Sequence, residues 1–158
     1  MRILLTKLTN ERHALEIIRK DGSRDRVELE TKSLWLHDFL HFAIESEAGL
    51  QDGFWGSLAA GKTMAQMNDF SPDTPKAYSG NMATIEQTVG MLTGAAKGRT
   101  AQEMYEGYRT MREAQGEMPV EWITAAFIER VQERIRQLVG HWNGTPFGET
   151  MRIEWDEE

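Results

Sequence analysis

The last residues of the chain constrain its fold more than any other segment. Met151, Ile153 and Trp155 alternate with Arg152, Glu154 and Asp156, the two-residue period of a strand with one apolar face. A lone terminal strand cannot hide that face, so it has to return to strands elsewhere in the chain. Those strands lie at the opposite end. Val27 and Leu29 alternate with Arg26, Glu28 and Glu30, the run from Ala14 to Ile18 precedes them, and Ile3, Leu4, Leu5 and Leu8 form another candidate. Asp21-Gly22 is a dipeptide that tolerates positive φ in a tight hairpin turn, and Thr9-Asn10-Glu11 is a polar connection. The N-terminal part reads as a three-strand meander, which the C-terminal strand joins as a fourth.

Between these ends the pattern is helical. Ser33 is placed to cap a helix running to about Ala48. A short helix from Asp52 to Ala60 follows, with Asp52 as its cap, then one or two turns opened by Thr63 with Gln66. Ile85, Val89, Leu92 and Ala96 recur at helical spacing. Thr100 with Glu103 is a capping box, and Gly116 ends the helix it opens. Pro119 suits the first position of the last helix, whose stripe is Val120, Ile123, Phe127, Val131, Ile135 and Leu138, with Gly140 as its stop. The expected fold is α+β, an antiparallel sheet of about four strands covered by a layer of about five helices. A chain of 158 residues is long enough to bury a core as one domain, 1–158. The segment Asn68 to Asn81, rich in Ser, Pro, Asp and Gly, reads as a disordered loop or a lid.

Composition removes several classes of function. The absence of cysteine excludes a disulfide scaffold, a thiolate metal site and a cysteine nucleophile. A net charge of −7 with no dense Lys/Arg run argues against nucleic-acid binding, which needs a basic face to neutralise phosphates. No apolar run approaches the ~20 residues of a spanning helix, and the N-terminus is too short on apolar residues for a signal peptide. The expectation is a soluble, cytoplasmic protein without membrane or nucleic-acid partners.

Chemistry concentrates on the helix Ser33 to Ala48. Leu34, Trp35, Leu36, Phe39, Leu40, Phe42, Ala43, Ile44 and Ala48 leave it apolar around most of its circumference, as in a buried helix. At 100° per residue, His41 lies about 40°, Glu45 about 80° and Asp38 about 100° from His37. Two imidazoles one turn apart can both reach one ion, as in helical H-E-x-x-H zinc sites; here Asp38 stands in the place of the glutamate general base. A catalytic zinc takes three protein ligands and keeps an open position. Glu45 is a candidate ligand, although it lies ~12 Å along the axis from His37 and so pairs more readily with His41. His141, just past the stripe of the last helix, is the first candidate from another segment, and Glu86 and Glu103 come next. The bland alternative is that these histidines only hydrogen-bond to neighbouring carboxylates or carbonyls.

The segment Leu36-His37-Asp38-Phe39-Leu40-His41-Phe42, followed by Gly53-Phe54-Trp55-Gly56 and Ala59-Ala60-Gly61, resembles a set of uncharacterised bacterial proteins with the same H-D-x-x-H helix. The resemblance covers residues 34 to 63 and implies no activity. H-D-x-x-H is also similar to the zinc motif of the ubiquinone-biosynthesis organiser family. That family carries a Glu twelve residues after the second His, where this chain has Gly53.

Gly56-Ser57-Leu58-Ala59-Ala60-Gly61-Lys62-Thr63 matches the phosphate-loop pattern G-x-x-x-x-G-K-[ST]. Its flanks do not supply the buried strand and long helix that such a loop needs. Gly61 reads more simply as a helix stop. Met64, Met67, Met82, Met91, Met104 and Met111 fit core filling better than an adaptable groove. Gly90 and Gly94 share a helix face that suits close packing. His13 reads as a surface residue at the start of a strand. Two functional readings follow: a small metal-binding protein holding a divalent ion such as zinc, with hydrolysis of a small molecule as its candidate reaction, or a non-enzymatic protein that self-associates as a homo-oligomer through apolar helix faces carrying Trp122 and Trp142.

Overall fold

The computed structural model describes residues 1–31, 34–67, 81–95 and 98–156, with residues 34, 35, 94 and 95 described for their backbone alone. Strands β1 (Arg2–Lys7), β2 (Arg12–Ile18), β3 (Arg24–Glu30) and β4 (Thr150–Glu154) form one antiparallel sheet in the order β3-β2-β1-β4. The helices are α1 (Leu34–Ala48), α2 (Phe54–Ala59), α3 (Met64–Met67), α4 (Met82–Ala95), α5 (Ala101–Ala114) and α6 (Ala125–Gly144). This is the α+β architecture read from the sequence, with six helices among the described residues. The expected Ser33 cap and the loop Asn68 to Asn81, apart from Asn81, lie outside the described residues.

The C-terminal strand returns as its alternation requires. Ile3 stands opposite Ile17 on one side and Ile153 on the other, and Leu5 opposite Leu15 and Met151. One sheet face is therefore a continuous apolar surface. The termini are tied together as well, since the Trp155 N–H donates to the Met1 carbonyl at 2.8 Å. The β2–β3 connection runs from Arg19 to Ser23 rather than through a two-residue turn. The Gly22 N–H closes it on the Arg19 carbonyl, with Gly22 alone at φ +84°.

Helix α1 is apolar almost all round because two cores share it. Phe39 and Phe42 face the sheet core with Ile3, Leu15, Trp55 and Trp142. Leu40, Ala43 and Ile44 enter a helical core with Ile85, Val89, Tyr108, Phe127 and Val131. Helix α1 packs on both α4 and α6, and α5 packs on α6. Outside the apolar contact, Glu47 of α1 accepts from Arg130 at 3.2 Å and Arg134 at 3.1 Å of α6.

Five local readings change. Helix α6 begins at Ala125, capped by the Thr124 side chain accepting from the Phe127 N–H at 3.1 Å, so Pro119 lies before it. It continues through Gly140 to Gly144, because the stripe gains a further buried residue, Trp142. Asp52 does not cap α2; its carboxylate accepts from the Asn81 N–H at 3.0 Å, at the start of α4. His13 is fully buried rather than on the surface. Strand β2 starts early enough to put His13 in phase with Leu15 and Ile17, opposite Lys7 and Leu29. Gly90 faces open space, so close packing does not explain it, and Gly94 lies outside the described side chains. The capping box of Thr100 and Glu103 forms as expected, and Thr63 and Gln66 cap each other at α3.

Candidate metal centre

Helix periodicity sets His37, His41 and Glu45 along one edge of α1, where it meets α4 and α2. The strip is not uniformly exposed. His41 is 2% and Glu45 0% accessible, whereas the His37 side chain is 45% accessible and that of Asp38 14%. The strip thus runs from solvent at His37 into the interior at Glu45.

Helix α4 delivers a third functional group to this edge. The Glu86 carboxylate places Oε1 3.5 Å from His41 Nε2 and Oε2 3.7 Å from His37 Nε2. The two imidazoles stand with ring centroids 4.6 Å apart. One ligand atom from each of His37, His41 and Glu86 lies within 4.8 Å of the others. Among the described residues this is the one such group. Bonds of ~2.0–2.1 Å to a tetrahedral ion imply ligand atoms ~3.4 Å apart. The Glu86 contacts, 3.5 Å to one oxygen and 3.7 Å to the other, are near that spacing, while a set of one atom per residue, spread within 4.8 Å, would have to draw in around an ion. The cluster could hold a metal ion.

The opposite ring nitrogens also face carboxylates. His41 Nδ1 lies 3.3 Å from Glu45 Oε1, and His37 Nδ1 lies 3.9 Å from Asp38 Oδ1. Glu45 also accepts from the Phe54 N–H at 2.9 Å, the Trp55 N–H at 2.9 Å and the Gly56 N–H at 3.4 Å. The Trp55 indole N–H donates to the Asp38 carbonyl at 3.1 Å, fixing α2 against α1. Burial alone lowers the pKa of His41, but hydrogen bonds and charge from Glu45 and Glu86 outweigh it and raise the value from 6.5 to about 9. Without a metal, His41 is an imidazolium held between two carboxylates.

The other candidates from the sequence lie apart from this group. His141 is exposed on α6, and its carbonyl accepts from the Thr145 hydroxyl at 2.8 Å. Glu103 is engaged in the capping box of α5. The residues that match a phosphate loop do not form one. Gly56–Ala59 lie within helix α2, and the amides of Ser57, Ala60, Gly61 and Lys62, which would have to face a phosphate, donate instead to the carbonyls of Gly53, Gly56, Leu58 and Ser57. Of the two tryptophans proposed for self-association, Trp142 is 3% accessible, and Trp122 packs edge-on against Phe127 at 5.1 Å.

Glu86, a candidate ranked behind His141 in the sequence, is the one that α4 brings to the pair; nothing local marks it, since it follows Ile85 on an ordinary amphipathic helix. The anchoring of Glu45 had a faint signal in Gly53-Phe54-Trp55-Gly56, where small residues flank two aromatics.

Fold and site together define an α+β protein with a His-His-Glu cluster able to hold a metal ion. No family model, no curated protein and no solved structure matches the chain. No helix among the described residues is long and apolar enough to cross a membrane.

Proposed function

We propose that this is a small metal-binding protein that holds a divalent ion, zinc or one like it, on His37, His41 and Glu86. The observation that carries this reading is the convergence of two imidazoles and one carboxylate, from two helices, on a common point. Two histidines and one glutamate are also the donor set of many catalytic zinc sites, which keep a further position open. The partial exposure of His37 and Glu86 gives solvent and solute a route to that position.

A bound ion would supply Lewis-acid chemistry of the kind hydrolases use. The chain contributes the rest. Glu86 brings negative charge to offset the cation, and burial of His41 limits competing water. Asp38, the candidate proton carrier of the sequence reading, stands on the Nδ1 side of His37, away from Glu86. In this reading it supports that imidazole.

Elemental analysis of untagged protein tests the proposal. Near-stoichiometric metal is expected, lost when His37 and His41 are both changed to Ala. Metal-free protein whose melting ignores both added zinc and chelator would refute it, and would leave the cluster as a charge network between α1 and α4.

A further inference from the structure

The buried Glu45 carboxylate is tied to the backbone in a way that a merely paired acid does not require. A carboxylate has about four acceptor positions, two on each oxygen. Oε1 takes His41 Nδ1 at 3.3 Å and the Phe54 N–H at 2.9 Å, and Oε2 takes the Trp55 N–H at 2.9 Å and the Gly56 N–H at 3.4 Å. All four positions are in use. Glu45 could become a metal ligand only by giving up a buried amide, which is costly. Room for this arrangement comes from Gly53, where a β-carbon would overlap the Glu45 carboxylate, its nearest atoms being Cδ, Oε2 and Cγ.

We propose that Glu45 is a positioning residue: locked by the 54–56 amides into space left by Gly53, it holds the Nδ1 hydrogen of His41 and so presents Nε2 as the ligating atom. This inference rests on the metal reading above. Its chemistry is simple. An ionised carboxylate only accepts, so the ring nitrogen facing it must carry the hydrogen, and the lone pair of the neutral ring is then on the other nitrogen. That other nitrogen is the one 3.5 Å from Glu86. A carboxylate behind a ligating histidine fixes the ring and raises its basicity, and losing such a partner typically weakens metal binding ~10–100-fold.

Glu45→Gln separates this role from simple space filling. With the glutamine oxygen at the Oε2 position, accepting from the Trp55 and Gly56 N–H groups, its NH2 takes the Oε1 position toward His41 Nδ1, selecting the opposite tautomer and leaving the Phe54 N–H without that acceptor. Gly53→Ala leaves Glu45 chemically intact but displaces it. Zinc affinity measured by competition with a chromophoric chelator should fall ~10–100-fold in both variants. Thr100→Ala, which removes a distant helix cap, should leave it unchanged. Long-range 1H–15N spectra of zinc-loaded wild type should show His41 protonated at Nδ1 with the metal on Nε2. Zinc binding with unchanged affinity in both variants, or zinc on His41 Nδ1, overturns the role of Glu45 and leaves the metal reading standing. A wild-type chain that binds no zinc overturns both.

Discussion

His41 and Glu86 face each other across the α1–α4 interface, Nε2 to Oε1 at 3.5 Å, while Glu45 holds the other side of the same ring at 3.3 Å. In the metal-free protein this double contact keeps His41 charged, with its pKa raised from 6.5 to about 9. A raised folded-state value means the folded state binds the proton more tightly than the unfolded chain does. The stabilisation is then complete below about 6.5 and is lost as pH rises toward about 9. At ~1.4 kcal/mol per pH unit the total is on the order of 3 kcal/mol. Urea unfolding of metal-free wild type and His41→Gln should show a stability gap that narrows by that order between pH 6.5 and 9. A gap that stays constant across this window would mean His41 is neutral between its two carboxylates.

His13 carries the opposite sign. Burial lowers its pKa, more than the Asp38 charge raises it, and its buried Nε2 has no hydrogen-bond partner among the described residues. A depressed value gives stability that is present above about 6.5 and lost as pH falls through the folded-state value. His13→Leu removes the titration and fills similar space on the sheet face. The variant should gain on wild type by at most ~2 kcal/mol between pH 6.5 and 5, read from urea midpoints at the two pH values. Parallel midpoints for the two proteins would contradict the assignment.

The fold was legible where the pattern was local and periodic. Met151, Ile153 and Trp155 announced β4, and the greasy circumference of α1 announced its burial. His13 escapes a strand reading that begins at Ala14; extending the alternation of Leu15 and Ile17 back two residues puts it on the core face. The histidine pair was visible from helical spacing alone. Its nearest acid on another element, Glu86, ranked only behind His141, because the meeting of α4 with α1 is a tertiary fact. Pro119 and Gly140 misled for different reasons: the Thr124 side chain caps α6 after Pro119, leaving Val120 and Ile123 outside the helix, while the stop signal of Gly140 yields to an apolar stripe that ends at Trp142.

Because both cores rest on α1, a cavity there should be felt throughout the molecule. Ile44 is fully buried in the helical core. Ile44→Ala should cost ~2–5 kcal/mol by denaturant unfolding. Met118→Ala, at a side chain 82% accessible, should stay within ~0.5 kcal/mol of wild type. A mild Ile44 effect would mean that α4 can collapse into the space.

Ligand binding to the folded chain alone must raise its melting temperature, and the size of the rise is calculable. At a free zinc concentration of about one hundred times Kd the stabilisation is ~2.7 kcal/mol, and for a chain of this length each kcal/mol moves the midpoint by ~2–4 °C. Saturating zinc should therefore raise Tm by roughly 5–10 °C, and chelator should reverse it. Glu86→Gln keeps the size of the side chain but removes the charge that faces His37 and His41. It should abolish most of the zinc-induced rise, whatever it does to the metal-free midpoint. The comparison is between shifts rather than absolute temperatures, because loss of the Glu86 charge also alters the metal-free pairing of His41. A zinc-induced rise of wild-type size in Glu86→Gln would place the ion away from α4 and remove Glu86 from the site.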